Sequence, residues 1–177
     1  MSQNKSPLQN STTQIHLHSK DINSLSGQTL VVFAKANSDK TKAAKITHLD
    51  TAKALKVSLE EKLITGACGE VISFREARFL GYRNVISLAL GVESKLTTEL
   101  VRQAGAALHK EIRTLKTNEI FVNFDGISTH KKELADYMQA FVEGIQLAAY
   151  SFDELKTIDK KSEKIEIHII TLSAKDK

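Results

Sequence analysis

The chain has 177 residues, of which 41% are hydrophobic and 26% charged, a composition typical of one globular domain with a substantial core. No apolar run approaches the roughly 18 residues that span a bilayer, and the first residues contain no apolar stretch of the kind found in a secretory signal. The single cysteine, Cys68, excludes an internal disulfide framework and a cysteine-rich zinc site. These features predict a soluble, cytoplasmic protein that does not bind a membrane.

The formal net charge of +4 comes from the first third of the chain. Residues 1–60 contain eight lysines, four acidic residues and no arginine, whereas the charges of the remaining residues balance. One hypothesis is a surface for nucleic acid, on which Lys35, Lys40, Lys42 and Lys45 would neutralise phosphates. Lysine lacks the bidentate geometry with which arginine recognises phosphates and bases, so a lysine-rich solubilising face is the favoured interpretation.

The order of the strands can be read from the pattern of apolar residues. A polar leader over residues 1–13 is predicted to be disordered, and one domain follows over residues 14–177. Six segments of this domain have the alternation or the β-branched, apolar composition of strands: residues 14–18, 29–34, 70–74, 84–90, 119–124 and 164–171. The second and fourth are almost continuously apolar, which is typical of central strands covered on both faces.

Helical patterns lie between these strands, and the first of them is short. Leu55, Leu59 and Leu63 share one face after a candidate cap at Asp50, and Gly66 offers a stop. A layer of helix is therefore predicted between the second and third strands.

Two longer helices follow, one after a candidate N-cap at Thr97 and one from about Lys131. Their apolar residues recur at spacings of three and four: Leu100, Ala104, Leu108, Ile112 and Leu115 in one, and Leu134, Met138, Phe141, Ile145 and Ala148 in the other. Gly105 and Gly144 lie inside these helices, where glycine costs about 1 kcal/mol relative to alanine. They therefore indicate close approach of a neighbouring element. Helices alternating with strands predict a three-layer α/β domain with a mostly parallel or mixed sheet of about six strands flanked by helices.

Few residues indicate chemistry. His16 and His18 point the same way from one strand and could share a metal ion, but no carboxylate or cysteine lies nearby in sequence, so a half-exposed strand face is favoured. Cys68 lies in a glycine-flanked turn with no histidine near it in sequence, which favours a small buried residue over a nucleophile. Gly91 follows a strand, where ligands bind in open α/β folds, yet a turn residue is the favoured interpretation. The residues alone predict no catalytic group, metal ligand or cofactor in this chain.

The segment YSFDELKT near the C-terminus is more specific. It follows the small-residue helix FVEGIQLAA, which contains Gly144, and it includes Tyr150, Phe152, Asp153 and Lys156. This sequence resembles the end of the N-terminal domain of the leucyl (cytosol) aminopeptidase family, which closes with such a helix and a Tyr-x-Phe-Asp-x-x-Lys motif.

A second resemblance to the same family lies upstream. The strand NVISLALG ends in Gly91, and LTTELVRQAGAAL then places Glu99 and Arg102 as in the family's Thr-x-Glu-x-x-Arg helix start. The turn GACGE before that strand also matches the family's layout. One departure is that the family strand usually ends in Gly-x-Gly, whereas this chain has Ala89 and Leu90 before the glycine.

The resemblance implies a macro-domain-like fold and a chemistry that resides elsewhere. In this family a separate C-terminal domain holds two divalent metals, zinc or manganese, through Asp, Glu and Lys side chains, and the enzyme forms homo-hexamers. The family's catalytic signature, Asn-Thr-Asp followed by Gly-Arg, is absent from the 177 residues, so no catalytic or metal residue is carried over. The motif residues are assigned structural roles: burial for the rings of Tyr150 and Phe152, and a surface contact for Lys156.

Three functional hypotheses result. The first is a non-catalytic N-terminal domain of a leucyl aminopeptidase, which packs on the catalytic domain of its parent and shapes access or assembly. The second is a nucleic-acid-binding module that binds DNA through the lysine-rich first third. The third is a nucleotide or ADP-ribose binder, by analogy with macro domains.

Overall fold

The computed structural model describes residues 13–39, 41–127, 131–150 and 164–171. Thr13 begins the first strand, and the rest of the predicted leader lies outside the described residues. The described elements are β1 (Thr13–His18), β2 (Gly27–Ala36), β3 (Lys45–Ile46), α1 (Leu49–Ala54), α2 (Lys56–Glu60), β4 (Val71–Phe74), β5 (Tyr82–Val92), α3 (Thr98–Leu115), β6 (Glu119–Asn123), α4 (Lys131–Ala149) and β7 (Ile165–Ile170).

The strands form one mixed sheet in the order β1-β7-β6-β2-β5-β4, with β3 also paired to β2. Strands β1, β7, β6, β2 and β5 run parallel, whereas β4 and β3 pair antiparallel to β5 and β2. The predicted mostly parallel sheet is therefore confirmed, with seven strands rather than about six. The strand that the sequence did not reveal, β3, is only two residues long.

Strands β2 and β5 lie next to each other inside the sheet and are covered on both faces, as their continuous apolar sequences predict. On one face Val31 and Phe33 belong to a core that includes buried residues of α3 and α4. On the other face Leu30 and Val32 pack in a second core together with Leu59 of α2. This confirms the three-layer α/β architecture.

Helices α3 and α4 interlock through two glycines. A Cβ atom placed on Gly105 would overlap the carbonyl oxygen of Phe141, and one on Gly144 would overlap the carbonyl oxygen of Arg102. Each helix thus brings its backbone against the other at a position that only glycine allows. The close approach predicted for these glycines is confirmed.

The short helical layer differs from its prediction. The cap is His48 rather than Asp50, because the His48 Nδ1 accepts a hydrogen bond from the backbone N–H of Thr51 at 3.3 Å. Leu55 leaves helical geometry and divides the segment into α1 and α2. Leu63 follows the end of α2 and is exposed, so it does not share the buried face.

None of the helices in the described ranges combines the length and the apolar character that crossing a membrane requires.

Candidate functional site

The carboxyl ends of β2, β5 and β6 meet at one edge of the sheet, the usual position of ligands in open α/β folds. At this edge the side chain of Lys35 is buried and binds neighbouring groups of the domain. Its Nζ donates hydrogen bonds to the Glu93 Oε1 at 2.7 Å and to the carbonyl oxygens of Gly126 and Ile127 at 2.8 and 3.1 Å. The three donors of the ammonium are therefore used inside the domain. The hydrogen bond from Lys35 also lowers the pKa of Glu93 below its ordinary value.

This burial corrects the prediction that Lys35 contacts phosphate, because an ammonium already bonded to one carboxylate and two carbonyls has no donor left for a phosphate group. Lys42 is exposed with its Nζ 3.8 Å from Asp39, and Lys45 is exposed on β3. Lys40 lies outside the described residues.

Gly91 lies at the end of β5, where the pairing with β2 shifts register. Its φ of 79° belongs to the left-handed region, and its N–H donates to the carbonyl oxygen of Gly66 at 3.1 Å. A Cβ on Gly91 would lie 3.3 Å from the Cβ of Cys68, so the turn before β4 packs against this glycine.

The Cys68 side chain itself is exposed, and the prediction that it is buried is wrong. The neighbouring glycines make the turn tight but leave its thiol at the surface.

Two further motif residues, Arg102 and Gly144, lie where α3 contacts α4. Arg102 pairs with Glu99 on its own helix, and its Nη2 lies 3.0 Å from the Glu143 Oε2 on α4. Gly144 follows Glu143, so the ion pair lies beside the glycine contact between the two backbones. These residues therefore hold the two helices together.

The C-terminal motif is only partly within the described residues. Tyr150 follows α4 with its side chain 60% exposed, so the predicted burial of this ring is wrong. The ring lies one residue beyond the helix end, where it leaves the face that packs on the sheet. Phe152, Asp153 and Lys156 lie outside the described residues.

A cluster of three histidines lies on the neighbouring strands β1 and β7: His16, His18 and His168. The sequence indicated only the two on β1. The parallel register places His16 beside His168, and their rings stack with centroids 4.7 Å apart. The His18 Nε2 and the His168 Nδ1 are 2.9 Å apart, within hydrogen-bonding distance. Glu166 lies two residues before His168 on the same face of β7, and it supplies the carboxylate that was not visible near His16 in sequence.

His168 is the most enclosed member of this cluster. Its ring stacks on Phe121 with centroids 4.2 Å apart, and its Nε2 is buried without a hydrogen-bond partner. Burial lowers the pKa of His168, the neighbouring His16 and His18 lower it further, and Glu119 and Glu166 oppose the shift. The lowered pKa favours a neutral ring with a free nitrogen lone pair.

A pocket of about 400 Å³ lies at the opposite edge of the sheet, at the amino ends of β2 and β5. Two of its lining groups bind each other, since the Arg83 Nε donates to the Glu76 Oε1 at 2.6 Å. Burial raises the pKa of Tyr82, which also lines it, to about 12, and the Tyr82 hydroxyl donates to the carbonyl oxygen of Ile22. Arg78, which also lines the pocket, is exposed, with its Nε 3.7 Å from the Glu76 Oε2.

Comparison with solved structures places this arrangement among macro-domain-like α/β folds. The macrodomain of Mycobacterium tuberculosis DarG superposes with a TM-score of 0.63 at 14% identity, covering 91% of this chain and 99% of that one. A tomato leucine aminopeptidase mutant superposes with a TM-score of 0.71 at 17% identity, covering 96% of this chain and 34% of that one. At these identities the likeness defines the fold.

Sequence comparison defines the family. Residues 14–159 match the model of the cytosol aminopeptidase family, N-terminal domain, and the chain belongs to this family. A probable cytosol aminopeptidase of Bdellovibrio bacteriovorus is 43% identical over 162 residues, which cover 92% of this chain and 32% of the relative. One of Clostridium perfringens is 28% identical over 115 residues, covering 65% of this chain and 23% of the relative. The chain thus spans about a third or less of the curated relatives it matches.

Proposed function

We propose that the chain is the non-catalytic N-terminal domain of a cytoplasmic leucyl aminopeptidase and that it packs against a catalytic domain of the same polypeptide. The observation that carries this proposal is the match of residues 14–159 to the family's N-terminal domain, in a chain spanning about a third of its relatives. In the complete enzyme, two zinc or manganese ions held by the catalytic domain would activate the water that attacks the first peptide bond. We further propose that this enzyme is a homo-hexamer.

The surface of the domain supports a packing role. Large apolar side chains are exposed in three places, on β1, along the segment of α1 and α2, and at the end of α4: Ile15, Leu17, Leu49, Val57, Leu63, Leu147 and Tyr150. Neighbouring apolar groups exposed on a domain surface are typical of contacts with another protein surface, and Ile15 and Leu17 lie two residues apart on β1. Each would contribute free energy on burial at about 25 cal/mol per Å² of apolar area. The occupant we propose is the catalytic domain.

The two alternative functions draw less support from the described residues. The nucleic-acid hypothesis depends on free lysines, and Lys35 is committed to the interior. The ADP-ribose hypothesis depends on an open carboxyl edge, and at that edge the same ammonium binds Glu93, which follows β5, and the carbonyl oxygen of Ile127, in the turn after β6. A macro-domain-like fold alone does not imply the ligand of macro domains.

The test uses three samples: this chain, the remainder of the polypeptide, and their mixture. We expect the chain alone to leave a leucine anilide intact in the presence of zinc or manganese, and to co-elute with the remainder in size-exclusion chromatography. Leu17→Ser, Leu49→Ser and Leu147→Ser test the three exposed places, and at least one should weaken the association roughly tenfold or more.

Thr114→Ser is the control, because Thr114 is an exposed polar residue of α3 outside the three places and should leave the association unchanged. Chelator-sensitive turnover by the chain alone would contradict the non-catalytic role. Failure of the two parts to associate would contradict the packing role.

A further inference from the structure

The first and last strands of the described domain bring together a set of metal-binding side chains. His16 on β1 and Glu166 and His168 on β7 each offer one ligand atom, and these atoms lie within 4.8 Å of one another. Two imidazoles and one carboxylate form a donor set that suits zinc and related first-row divalent ions. We propose that His16, Glu166 and His168 bind one such ion, zinc in the first instance.

The orientation of the His168 ring supports a bound cation. When its Nδ1–H donates to the His18 Nε2, 2.9 Å away, its Nε2 carries a lone pair that is buried and has no hydrogen-bond partner. The Glu119 Oε1, 3.9 Å from this nitrogen, is too far to satisfy it. Metal-binding histidines are commonly fixed in this way by a hydrogen bond to the second ring nitrogen. A bound cation would give the lone pair of Nε2 its partner.

The ligand atoms have to move closer to hold an ion. Zinc–nitrogen bonds of about 2.0–2.1 Å in a tetrahedron bring ligand atoms to within about 3.4 Å of one another. The exposed His16 can make most of this movement by rotating its ring out of its stack on His168, while His168 stays stacked on Phe121. The open side at His16 gives the ion access and leaves room for a water ligand.

The charges around the site are compatible with a cation. One oxygen of Glu166 accepts a hydrogen bond from the Lys164 Nζ at 2.8 Å, and its other oxygen remains for the ion. Lys164 is half exposed and can turn toward solvent. Glu119 adds a second carboxylate near the ring of His168. Two carboxylates, Glu166 and Glu119, thus lie near the ring of His168, and one ammonium, that of Lys164, lies beside them.

Binding would join strands that are far apart in sequence, since His16 and His168 are separated by about 150 residues. An ion that binds only the folded chain raises the midpoint of thermal unfolding as its concentration rises. The site would therefore clamp the edge strand β1 to the rest of the sheet.

The experiment titrates zinc into the 177-residue chain by calorimetry after the removal of bound metals with a chelator, and cobalt is used for visible spectroscopy. We expect one ion per chain, a higher unfolding midpoint with zinc, and the visible absorption of low-symmetry cobalt. His16→Ala, which truncates an exposed side chain, and the isosteric Glu166→Gln should each weaken zinc binding at least roughly tenfold. His48→Asn removes a histidine elsewhere and Cys68→Ser removes the exposed thiol; neither should change the affinity.

The absence of zinc binding would overturn the proposal, as would equal affinity in the chain, His16→Ala and Glu166→Gln. Loss of binding in Cys68→Ser would overturn it too, because it would assign the ion to the thiol. The readout is metal bound to this chain rather than turnover, so its failure is distinguishable from failure of the proposed peptidase role.

Discussion

Lys35 determines which polar groups are free at the carboxyl edge of the sheet. It continues the apolar run of β2, and its ammonium joins that strand to Glu93 and to the turn that contains Gly126 and Ile127. Its position directly after five apolar residues, Leu30 to Ala34, was the available sequence signal that the side chain turns inward. The surrounding lysines instead indicated a charged surface, because composition does not distinguish a buried residue from its exposed neighbours.

We expect Lys35→Met to lower the free energy of unfolding by about 1–3 kcal/mol, because it leaves buried carbonyl oxygens without a donor. Glu93→Gln should cost less than about 1 kcal/mol, since the Glu93 side chain is largely exposed and the two carbonyl contacts remain. Urea denaturation of both variants measures the difference. Equal losses would mean that the ion pair, rather than the carbonyl contacts, holds the edge together.

His48 makes the stability of the domain depend on pH. Burial lowers the pKa of His48, and Asp50, Asp21 and Asp125 oppose the shift. As the pH falls, the unfolded chain therefore takes up a proton on His48 near pH 6.5, whereas the folded chain does not. The contribution of His48 to the free energy of unfolding is therefore present above that pH and is lost as the pH falls toward the folded pKa. Protonation also removes the lone pair that caps α1.

His48→Asn keeps a capping side chain without the titration. We expect its free energy of unfolding to fall less than that of the unchanged chain between about pH 7 and about pH 5. Chemical denaturation at several pH values provides the comparison. Identical pH dependence in the two proteins would contradict the role assigned to His48.

At the scale of elements, the contact of α3 with α4 was the most predictable tertiary feature. Glycines in otherwise good helices indicated close backbones, and the carbonyl oxygens of Phe141 and Arg102 occupy the space that a Cβ would need. The identity of the neighbour was not predictable, because Gly105 and Gly144 give no indication of which element approaches them.

We expect Gly105→Ala and Gly144→Ala each to destabilise the chain by about 1–3 kcal/mol, because the helices must separate to admit a methyl group. Helix propensity acts the other way by about 1 kcal/mol. Thr114→Ala, at an exposed position of α3, is the control and should be close to neutral. Thermal unfolding measures all three, and a stabilised glycine variant would show that the backbones are not in contact.

The pairing of strands was less predictable than their positions. The alternation of β7 places Glu166 and His168 on one face, and that of β1 does the same for His16 and His18. Nothing local indicates that these strands are neighbours, because they lie at opposite ends of the domain sequence. The metal-binding arrangement therefore emerges only from the fold.

At the scale of the whole molecule, the class of fold could be predicted from the pattern of apolar residues, and the family from two motifs. Which apolar residues are exposed on the surface could not be predicted. The three-layer order depends on the alternation of apolar strands with amphipathic helices, which is a property of the sequence. Exposed groups such as Leu17, Leu49 and Leu147 follow the same patterns as buried ones, and only the structure shows that they lack a partner within the described residues.

The most direct test of the central claim is the mass of the endogenous polypeptide that carries this sequence, measured in a lysate of its source together with the leucine anilide activity of the same immunoprecipitate. We expect a polypeptide far heavier than 19.6 kDa, with activity that a chelator removes. A polypeptide of 19.6 kDa that precipitates without such activity would contradict the assignment of this chain as a domain of an aminopeptidase.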